Sequence, residues 1–132
     1  MKVITFGVFD FFHLGHLRVF EQCKQHGDYL IVAVQDGDFV LKYKPDAKIM
    51  YSTQERVDMV SALRIVDEVM IYKNFDKDFL SEIEFDILAL GEDHTAERFT
   101  QAAQWCEAVG KRVVRLKRTP GISSSDLKKK EK

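Results

Sequence analysis

Cysteine and proline are both scarce in this 132-residue chain, which contains two of each. Cys23 and Cys106 are isolated thiols outside any CxxC pair, so the sequence excludes a disulfide-rich secreted domain. No grouping of Cys, His and Asp has the spacing of a protein metal site, and we predict no metal ligands. No apolar run approaches the roughly 18 residues of a membrane helix, and segment 1–7 lacks the long apolar stretch of a secretory signal. We therefore expect a cytoplasmic protein that does not contact membranes.

The chain also lacks an excess of charge of either sign, because 20 Lys and Arg residues face 21 Asp and Glu residues, for a net charge of -1. This balance argues against a protein whose main partner is nucleic acid. Hydrophobic residues make up 45% of the chain, which is enough for a real core. The length fits one domain, so we predict a single domain over residues 1–132, with 127–132 as a frayed basic tail.

Apolar runs alternate with segments of helical periodicity along the whole chain. We predict strands at 2–6, 29–34, 69–72, 85–90 and 112–116. We predict helices at 17–26, 52–64, 79–83, 97–109 and 123–130. The polar stretch 36–50 is predicted to be a loop, and Ser52 with Glu55 forms a capping box at the start of the next helix. This alternation indicates an α/β fold, a doubly wound parallel sheet of five strands with helices on both faces.

In such folds, ligands bind beyond the carboxyl ends of the strands, near the point where the strand order reverses. Segment 7–16, GVFDFFHLGH, lies at the first of these ends, where a strand gives way to a helix. His13 and His16 would both face the helix N-terminus, and Gly15 would let an anion approach free main-chain N–H groups. An imidazole can add hydrogen bonds, and a positive charge if it is protonated. Because a pair of histidines three residues apart is common on helices, the spacing alone is weak evidence.

Segment 118–125, RTPGISSS, follows the fifth predicted strand. An arginine fork, hydroxyl groups and a helix N-terminus all suit phosphate. A Pro-Gly turn followed by a serine N-cap explains the same residues without any ligand.

Together the two segments resemble known enzymes. Segment 7–16 resembles the GxFDxxHxGH signature of the HxGH nucleotidyltransferases, which join a nucleoside triphosphate to a phosphorylated acceptor and release pyrophosphate. Segment 118–125 is similar to the RTxGIST segment of the cytidylyltransferases, although Pro120 stands where those enzymes usually carry an acidic residue. The resemblance extends over about residues 3–126, and it is strongest to the small single-domain enzymes that act on glycerol 3-phosphate. It implies a Rossmann-like fold.

The resemblance also implies site residues. The implied catalytic residues stabilise charge on the α-phosphate and the leaving pyrophosphate, and they are His13, His16, Lys44 and Arg118. The implied nucleotide-binding residues are Gly7, Val8, Phe9, Asp10, His13, Leu14, Gly15, His16, Asp93, Arg118, Thr119, Gly121, Ile122, Ser123, Ser124 and Ser125. Asp93 would accept a hydrogen bond from the cytosine amino group, unless it is a solvated loop carboxylate.

The implied acceptor-binding residues are all basic, namely Lys44, Lys48, Arg56, Arg64 and Lys77. Each has a plainer interpretation, because a lysine in a charged loop usually faces solvent. Arg56 and Arg64 could likewise form surface ion pairs.

The implied reaction transfers CMP from CTP to a small phosphorylated alcohol, with glycerol 3-phosphate as the leading acceptor. Mg²⁺ is expected to arrive with the triphosphate, held by phosphate oxygens and water, and the enzyme is expected to be a homodimer. One alternative is an adenylyltransferase of the same family that acts on a sugar phosphate or a flavin-like phosphate. Another is a nucleotide-binding module without activity. Dinucleotide binding is disfavoured because the first loop has no GxGxxG.

Overall fold

The computed structural model describes residues 1–92 and 94–117, which form one five-stranded sheet with flanking helices. The strands are β1 (Lys2–Gly7), β2 (Tyr29–Gln35), β3 (Glu68–Tyr72), β4 (Ile87–Gly91) and β5 (Arg112–Leu116). The helices are α1 (Leu14–His26), α2 (Gly37–Tyr43), α3 (Thr53–Ser61), α4 (Lys77–Ser81) and α5 (Glu97–Ala108). The strand order is β3-β2-β1-β4-β5, and every pairing is parallel. The predicted α/β class and the doubly wound sheet are confirmed.

Successive residues of β1 point to opposite faces of the sheet, and each face has its own core. Ile4 and Phe6 pack into the cluster beneath α4 and α5, which contains Leu80 and Phe99. Val3 packs into the cluster beneath α1 and α3. Because both faces are covered, the central strands are apolar almost throughout, which is why they could be predicted as continuous runs. The strand order reverses at β1, so the carboxyl end of β1 is the expected ligand-binding edge.

The prediction that 36–50 is a loop throughout is wrong, because Gly37–Tyr43 forms α2. Long-range hydrogen bonds hold this short helix in place. The Asp36 N–H donates to the Tyr72 carbonyl at 2.8 Å, and the Gly37 N–H donates to Thr53 Oγ1 at 2.9 Å. Within the helix only Val40 is buried, so the segment has too little apolar periodicity to be detected.

Several helix boundaries also differ from the prediction, and α4 spans Lys77–Ser81 rather than 79–83. Helix α1 begins at Leu14 rather than residue 17, since His13 caps it, and α3 ends at Ser61 rather than residue 64. The capping box of Ser52 and Glu55 is confirmed by reciprocal hydrogen bonds of 3.1 and 2.9 Å. The predicted helix at 123–130 and the tail at 127–132 lie outside the described residues. No helix within residues 1–92 and 94–117 has the length and apolarity needed to cross a membrane.

Candidate active site

His13 and His16 form a reciprocal cap at the start of α1. The His13 Nδ1 accepts a hydrogen bond from the Gly15 N–H at 3.0 Å, and the His16 Nδ1 accepts one from the His13 N–H at 3.3 Å. Nδ1 is therefore an acceptor on both rings, so in the neutral state the proton resides on Nε2 of each. The two rings stack with centroids 3.9 Å apart. The cap thus orients two Nε2–H donors side by side at the carboxyl end of β1.

This geometry corrects one expectation about the helix start. The Gly15 N–H is engaged by the His13 ring, and the His16 N–H donates to the His13 carbonyl at 3.0 Å. These main-chain groups serve the cap instead of remaining free for an anion. The imidazoles consequently replace them as the hydrogen-bond donors that α1 presents.

His16 is neutral over the physiological pH range. Its ring lies against Phe9 and Phe12, at centroid distances of 5.3 Å each, and it is mostly buried. Burial, with a smaller contribution from His13, lowers the pKa of His16 from 6.5 to about 3. We therefore expect His16 to act as a neutral hydrogen-bond donor, not as the cation that the sequence left open.

The low pKa predicts a specific pH dependence of stability. Below pH 6.5 the unfolded chain binds a proton at His16, while the folded chain does not until about pH 3. The free energy of unfolding should therefore fall on acidification through this window, with His16 contributing at most about 1.4 kcal/mol per pH unit. Urea denaturation at several pH values should give a shallower slope for His16→Asn than for the wild type. His26→Asn controls for the loss of an imidazole as such, and equal slopes for wild type and His16→Asn would contradict the prediction.

The loop between β1 and α1 has a strained backbone. Phe9 and Phe11 both have positive φ, 55° and 52°, a region that costs side-chain-bearing residues energy. Phe9 nevertheless buries its ring under Gly7, where an added Cβ would come within 3.0 Å of the ring. A side chain at the end of β1 would therefore require the Phe9 ring to shift by a few tenths of an ångström, whereas Gly7 accommodates the ring without that shift.

Asp10 anchors this loop to the segment that precedes α3. Its carboxylate is buried and accepts hydrogen bonds from the Met50 and Tyr51 N–H groups, at 2.8 and 3.0 Å. The sequence suggested that Asp10 lines the nucleotide site. In the structure its carboxylate is committed to main-chain groups, so Asp10 shapes the site by joining two of its loops.

Arg56 also links the loop after β1 to the segment that precedes α3. It is fully buried, and its Nη1 donates to the Val8 and Gln35 carbonyls at 2.8 Å each, while Nε donates to the Tyr51 carbonyl at 3.3 Å. Burial lowers the pKa of Arg56, against the opposing effect of Asp10 and other nearby groups. The alternative of a surface ion pair is wrong. With no exposed surface, Arg56 is not placed to contact an acceptor and instead supports the ends of β1 and β2.

The predicted lysines occupy the loop between α2 and α3. Lys44 is the C-cap of α2, with its N–H donating to the Val40 carbonyl at 2.8 Å, and its side chain is exposed. Lys48 is also exposed and lies shortly before Met50. The Met50 N–H is hydrogen-bonded to Asp10 in the loop that joins β1 to α1. The loop between α2 and α3, which we call the lysine loop, therefore lies beside the β1–α1 loop.

Arg64 and Lys77 lie at opposite ends of the strands, Arg64 before β3 and Lys77 after it. Lys77 begins α4 and follows β3, so it lies beyond the carboxyl ends of the strands, as the histidine pair does. Arg64 follows α3 and precedes β3, which places it at the amino edge. Within one chain, therefore, the structure does not bring Arg64 to the candidate site.

His94 ends an aromatic stack beside the site. Its ring lies 4.7 Å from Phe6 and 4.8 Å from Phe99, and its Nδ1 accepts a hydrogen bond from the Gly91 N–H at 2.9 Å. The stack continues to Phe75, whose ring is 3.9 Å from Phe6. The predicted nucleotide-binding residue Asp93 and the predicted phosphate-binding residues of segment 118–125 lie outside the described residues.

Sequence reasoning missed Thr53. Its Oγ1 accepts a hydrogen bond from the Arg56 Nη2 at 3.2 Å as well as the one from Gly37. Thr53 is the first residue of α3. The sequence indicated that its neighbour Ser52 caps the helix, but it contained no signal for the contacts of Thr53.

The donor set fits phosphate better than it fits a bare metal ion. Within residues 1–92 and 94–117, no group of three or more His, Cys, Asp or Glu side chains could hold a cation. Asp10 gives its oxygens to main-chain N–H groups, while the histidines and lysines at this edge are hydrogen-bond donors. Such donors suit the oxygens of a triphosphate.

Comparison with known proteins identifies the family. The model of the family described as cytidylyltransferase-like matches residues 4–130. The chain is 36% identical to glycerol-3-phosphate cytidylyltransferase of Bacillus subtilis (strain 168) over 129 residues, which cover 96% of this chain and 94% of that protein. It is also 33% identical to the FAD synthase of Picrophilus torridus over 135 residues, or 98% of this chain and 95% of that one.

A solved structure supports the fold independently. The lipopolysaccharide core biosynthesis protein of Thermoplasma volcanium GSS1 superposes with a TM-score of 0.72 at 24% identity, covering 90% of this chain and 96% of that one. The agreement between family model, relatives and fold confirms the resemblance seen in the two sequence segments. The chain belongs to the cytidylyltransferase-like family of nucleotidyltransferases.

Proposed function

We propose that this protein transfers CMP from CTP to glycerol 3-phosphate, giving CDP-glycerol and pyrophosphate. The observation that carries the proposal is the reciprocal cap of His13 and His16, which presents two Nε2–H donors at the switch point of the sheet. The choice of base and acceptor is supported by the relatives named glycerol-3-phosphate cytidylyltransferase, from Bacillus subtilis and from Staphylococcus aureus, the latter 34% identical over 130 residues.

In the proposed reaction, an oxygen of the acceptor phosphate attacks the α-phosphorus of CTP in line. The bond from the α-phosphorus to the bridging oxygen of pyrophosphate breaks, and that oxygen carries the electron pair away, so no covalent enzyme intermediate forms. His13 and His16 donate hydrogen bonds to the oxygens on which negative charge grows. Lys44 approaches the same phosphates from the other loop. Catalysis in this scheme consists of positioning and charge stabilisation.

Further contacts belong to the same proposal. Asp93 accepts from the cytosine amino group, and Arg118, Thr119 and the serines 123–125 hold the β- and γ-phosphates. Mg²⁺ enters with the triphosphate and, when bound, neutralises part of its charge through phosphate oxygens and water. A homodimer and a cytoplasmic location complete the proposal, as the family resemblance implies.

Pyrophosphate release with Mg²⁺ tests the proposal directly. CTP and ATP should each be offered with glycerol 3-phosphate, phosphocholine, phosphoethanolamine and sugar phosphates. We expect release with CTP and glycerol 3-phosphate alone. CTP turnover with a different acceptor would overturn the choice of acceptor, and no turnover in any combination would overturn the proposed enzyme activity.

The FAD synthase relative favours a second candidate, an adenylyltransferase that acts on a flavin-like phosphate. The two candidates differ in the nucleotide that stabilises the folded chain. Because a ligand that binds only the folded state raises the melting temperature, CTP should raise Tm more than ATP at equal concentration. A larger shift with ATP would contradict the cytidylyltransferase proposal and support the second candidate.

A further inference from the structure

Tyr43, the last residue of α2, connects this helix to two other elements. Its hydroxyl donates a hydrogen bond to Asn74 Oδ1 in the turn after β3. The guanidinium carbon of Arg98, in the first turn of α5, lies 5.2 Å from the centre of the Tyr43 ring. Tyr43 is 42% exposed, and these two contacts, together with Lys42 Nζ at 5.9 Å from the ring centre, add to its partial burial in holding the side chain. We call Tyr43, Asn74 and Arg98 the Tyr43 latch.

Both partners of Tyr43 are next in sequence to buried core residues, Phe75 and Phe99. Asn74 precedes Phe75, a buried residue whose ring stacks 3.9 Å from that of Phe6. Arg98 also lies 4.6 Å above the ring of Phe99, which belongs to the same cluster. The latch therefore ties the exposed end of α2 to a densely packed part of the fold.

The latch adjoins the lysine loop. Lys44 follows Tyr43 directly, and further along the chain the Met50 N–H donates a hydrogen bond to Asp10 of the β1–α1 loop at 2.8 Å. Residues 44–49 thus follow the latch and precede the segment that is hydrogen-bonded to Asp10. Lys44 is exposed, and its main chain is held by its hydrogen bond to the Val40 carbonyl at the end of α2, the end that the latch ties to the core.

We propose that Tyr43 is a positioning residue for nucleotidyl transfer, which acts by holding Lys44 within reach of the reacting phosphates. The inference rests on the proposed function, because Lys44 has phosphates to approach only if the chain transfers a nucleotidyl group. A loop freed from the latch would sample many conformations, and the fraction in which Lys44 meets the phosphates would fall. The loss would appear in kcat rather than in the affinity for CTP.

Tyr43→Phe tests the proposal, because it removes the hydroxyl and keeps the ring under Arg98. Tyr29→Phe is the matched control: the Tyr29 hydroxyl donates to Glu68 at 2.9 Å and Lys2 lies 4.9 Å from its ring, but the residue begins β2 at the amino edge. We expect Tyr43→Phe to lower kcat about fivefold, as for the loss of one hydrogen bond, with KM for CTP changed less than about twofold. Tyr29→Phe should leave both parameters unchanged.

A double-mutant cycle shows whether Tyr43 acts through Lys44. In a Lys44→Ala background, Tyr43→Phe should cause no further loss of kcat. Equal losses in both backgrounds, or an unchanged kcat for Tyr43→Phe in an active enzyme, would overturn the latch alone. A wild-type chain without turnover would overturn the proposed function and the catalytic role of the latch together.

A second measurement is independent of turnover. Trypsin cleaves after lysine except where proline follows, so the Lys44–Pro45 bond is resistant and the loop offers the bond after Lys48, while Lys42 lies in the last turn of α2. Limited proteolysis should cut this loop about fivefold faster in Tyr43→Phe than in the wild type or in Tyr29→Phe. Equal cleavage rates in the three proteins would show that the latch does not hold the loop, and would overturn the proposal.

Discussion

Replacing His16 with alanine is expected to lower kcat for pyrophosphate release by about 100- to 1000-fold, the usual effect of removing one preorganised donor to a developing oxyanion. His16 is mostly buried, and its Nδ1 is occupied by the His13 N–H at 3.3 Å, so its Nε2–H is held in one direction. A donor fixed in this way needs no reorganisation as charge grows on the phosphate oxygens. KM for CTP should change much less than kcat.

His26→Ala provides the control for this experiment. His26 lies in the last turn of the same helix and is exposed, so its replacement changes the same residue type away from the site. We expect its kcat to match that of the wild type. Because the His13 N–H loses its partner in His16→Ala, the Tm of each variant should be measured alongside its rate. Undiminished pyrophosphate release from folded His16→Ala would contradict the proposed mechanism.

The second large effect is expected at Arg56, on stability. Arg56→Ala leaves the carbonyl groups of Val8 and Gln35 buried without their donor, and it also removes the positive charge near Asp10. We expect the free energy of unfolding to fall by about 3–5 kcal/mol, as when one partner of a buried charged network is deleted. Since small domains have about 5–15 kcal/mol in total, this variant would be close to unfolding. Urea denaturation followed by circular dichroism measures the change.

Two further variants sharpen the test of Arg56. Arg56→Lys keeps the charge but has no planar fork to reach two carbonyl groups at once, so it should be intermediate in stability. Arg18→Ala is the control, because Arg18 is exposed and forms an ion pair with Glu21, one turn further along the same helix. It should change the free energy of unfolding by less than about 1 kcal/mol. An Arg56→Ala variant as stable as Arg18→Ala would show that Arg56 does not support the site.

Much of the fold could be predicted because the signals are local. The strands at Tyr29–Gln35 and Ile87–Gly91 are apolar almost throughout, since a central strand is covered on both faces. The capping box at Ser52 and Glu55 involves residues three apart, so it was visible in the sequence. The first segment of the site was found for the same reason, because it is contiguous from Gly7 to His16.

The rest of the site depends on contacts between residues far apart in the chain. Helix α2 forms where Gly37 meets Thr53 and where Asp36 meets Tyr72, and neither contact leaves a trace in local periodicity. Arg56 looked like any charged residue on a surface helix, yet its guanidinium lies among carbonyl groups from positions 8 and 35. Burial of this kind is decided by the packing of three elements.

The sequence by itself determined the class of fold, the family and the pair of histidines at the end of β1. The tertiary structure alone decided what those histidines do. It lowers the pKa of His16 to about 3 by burying the ring, and it fixes the proton on Nε2 of each imidazole by engaging both Nδ1 atoms. The protonation state of His16 depends on desolvation of its ring, and the direction of each Nε2–H donor depends on the hydrogen bond at Nδ1. Both conditions exist only after the chain has folded.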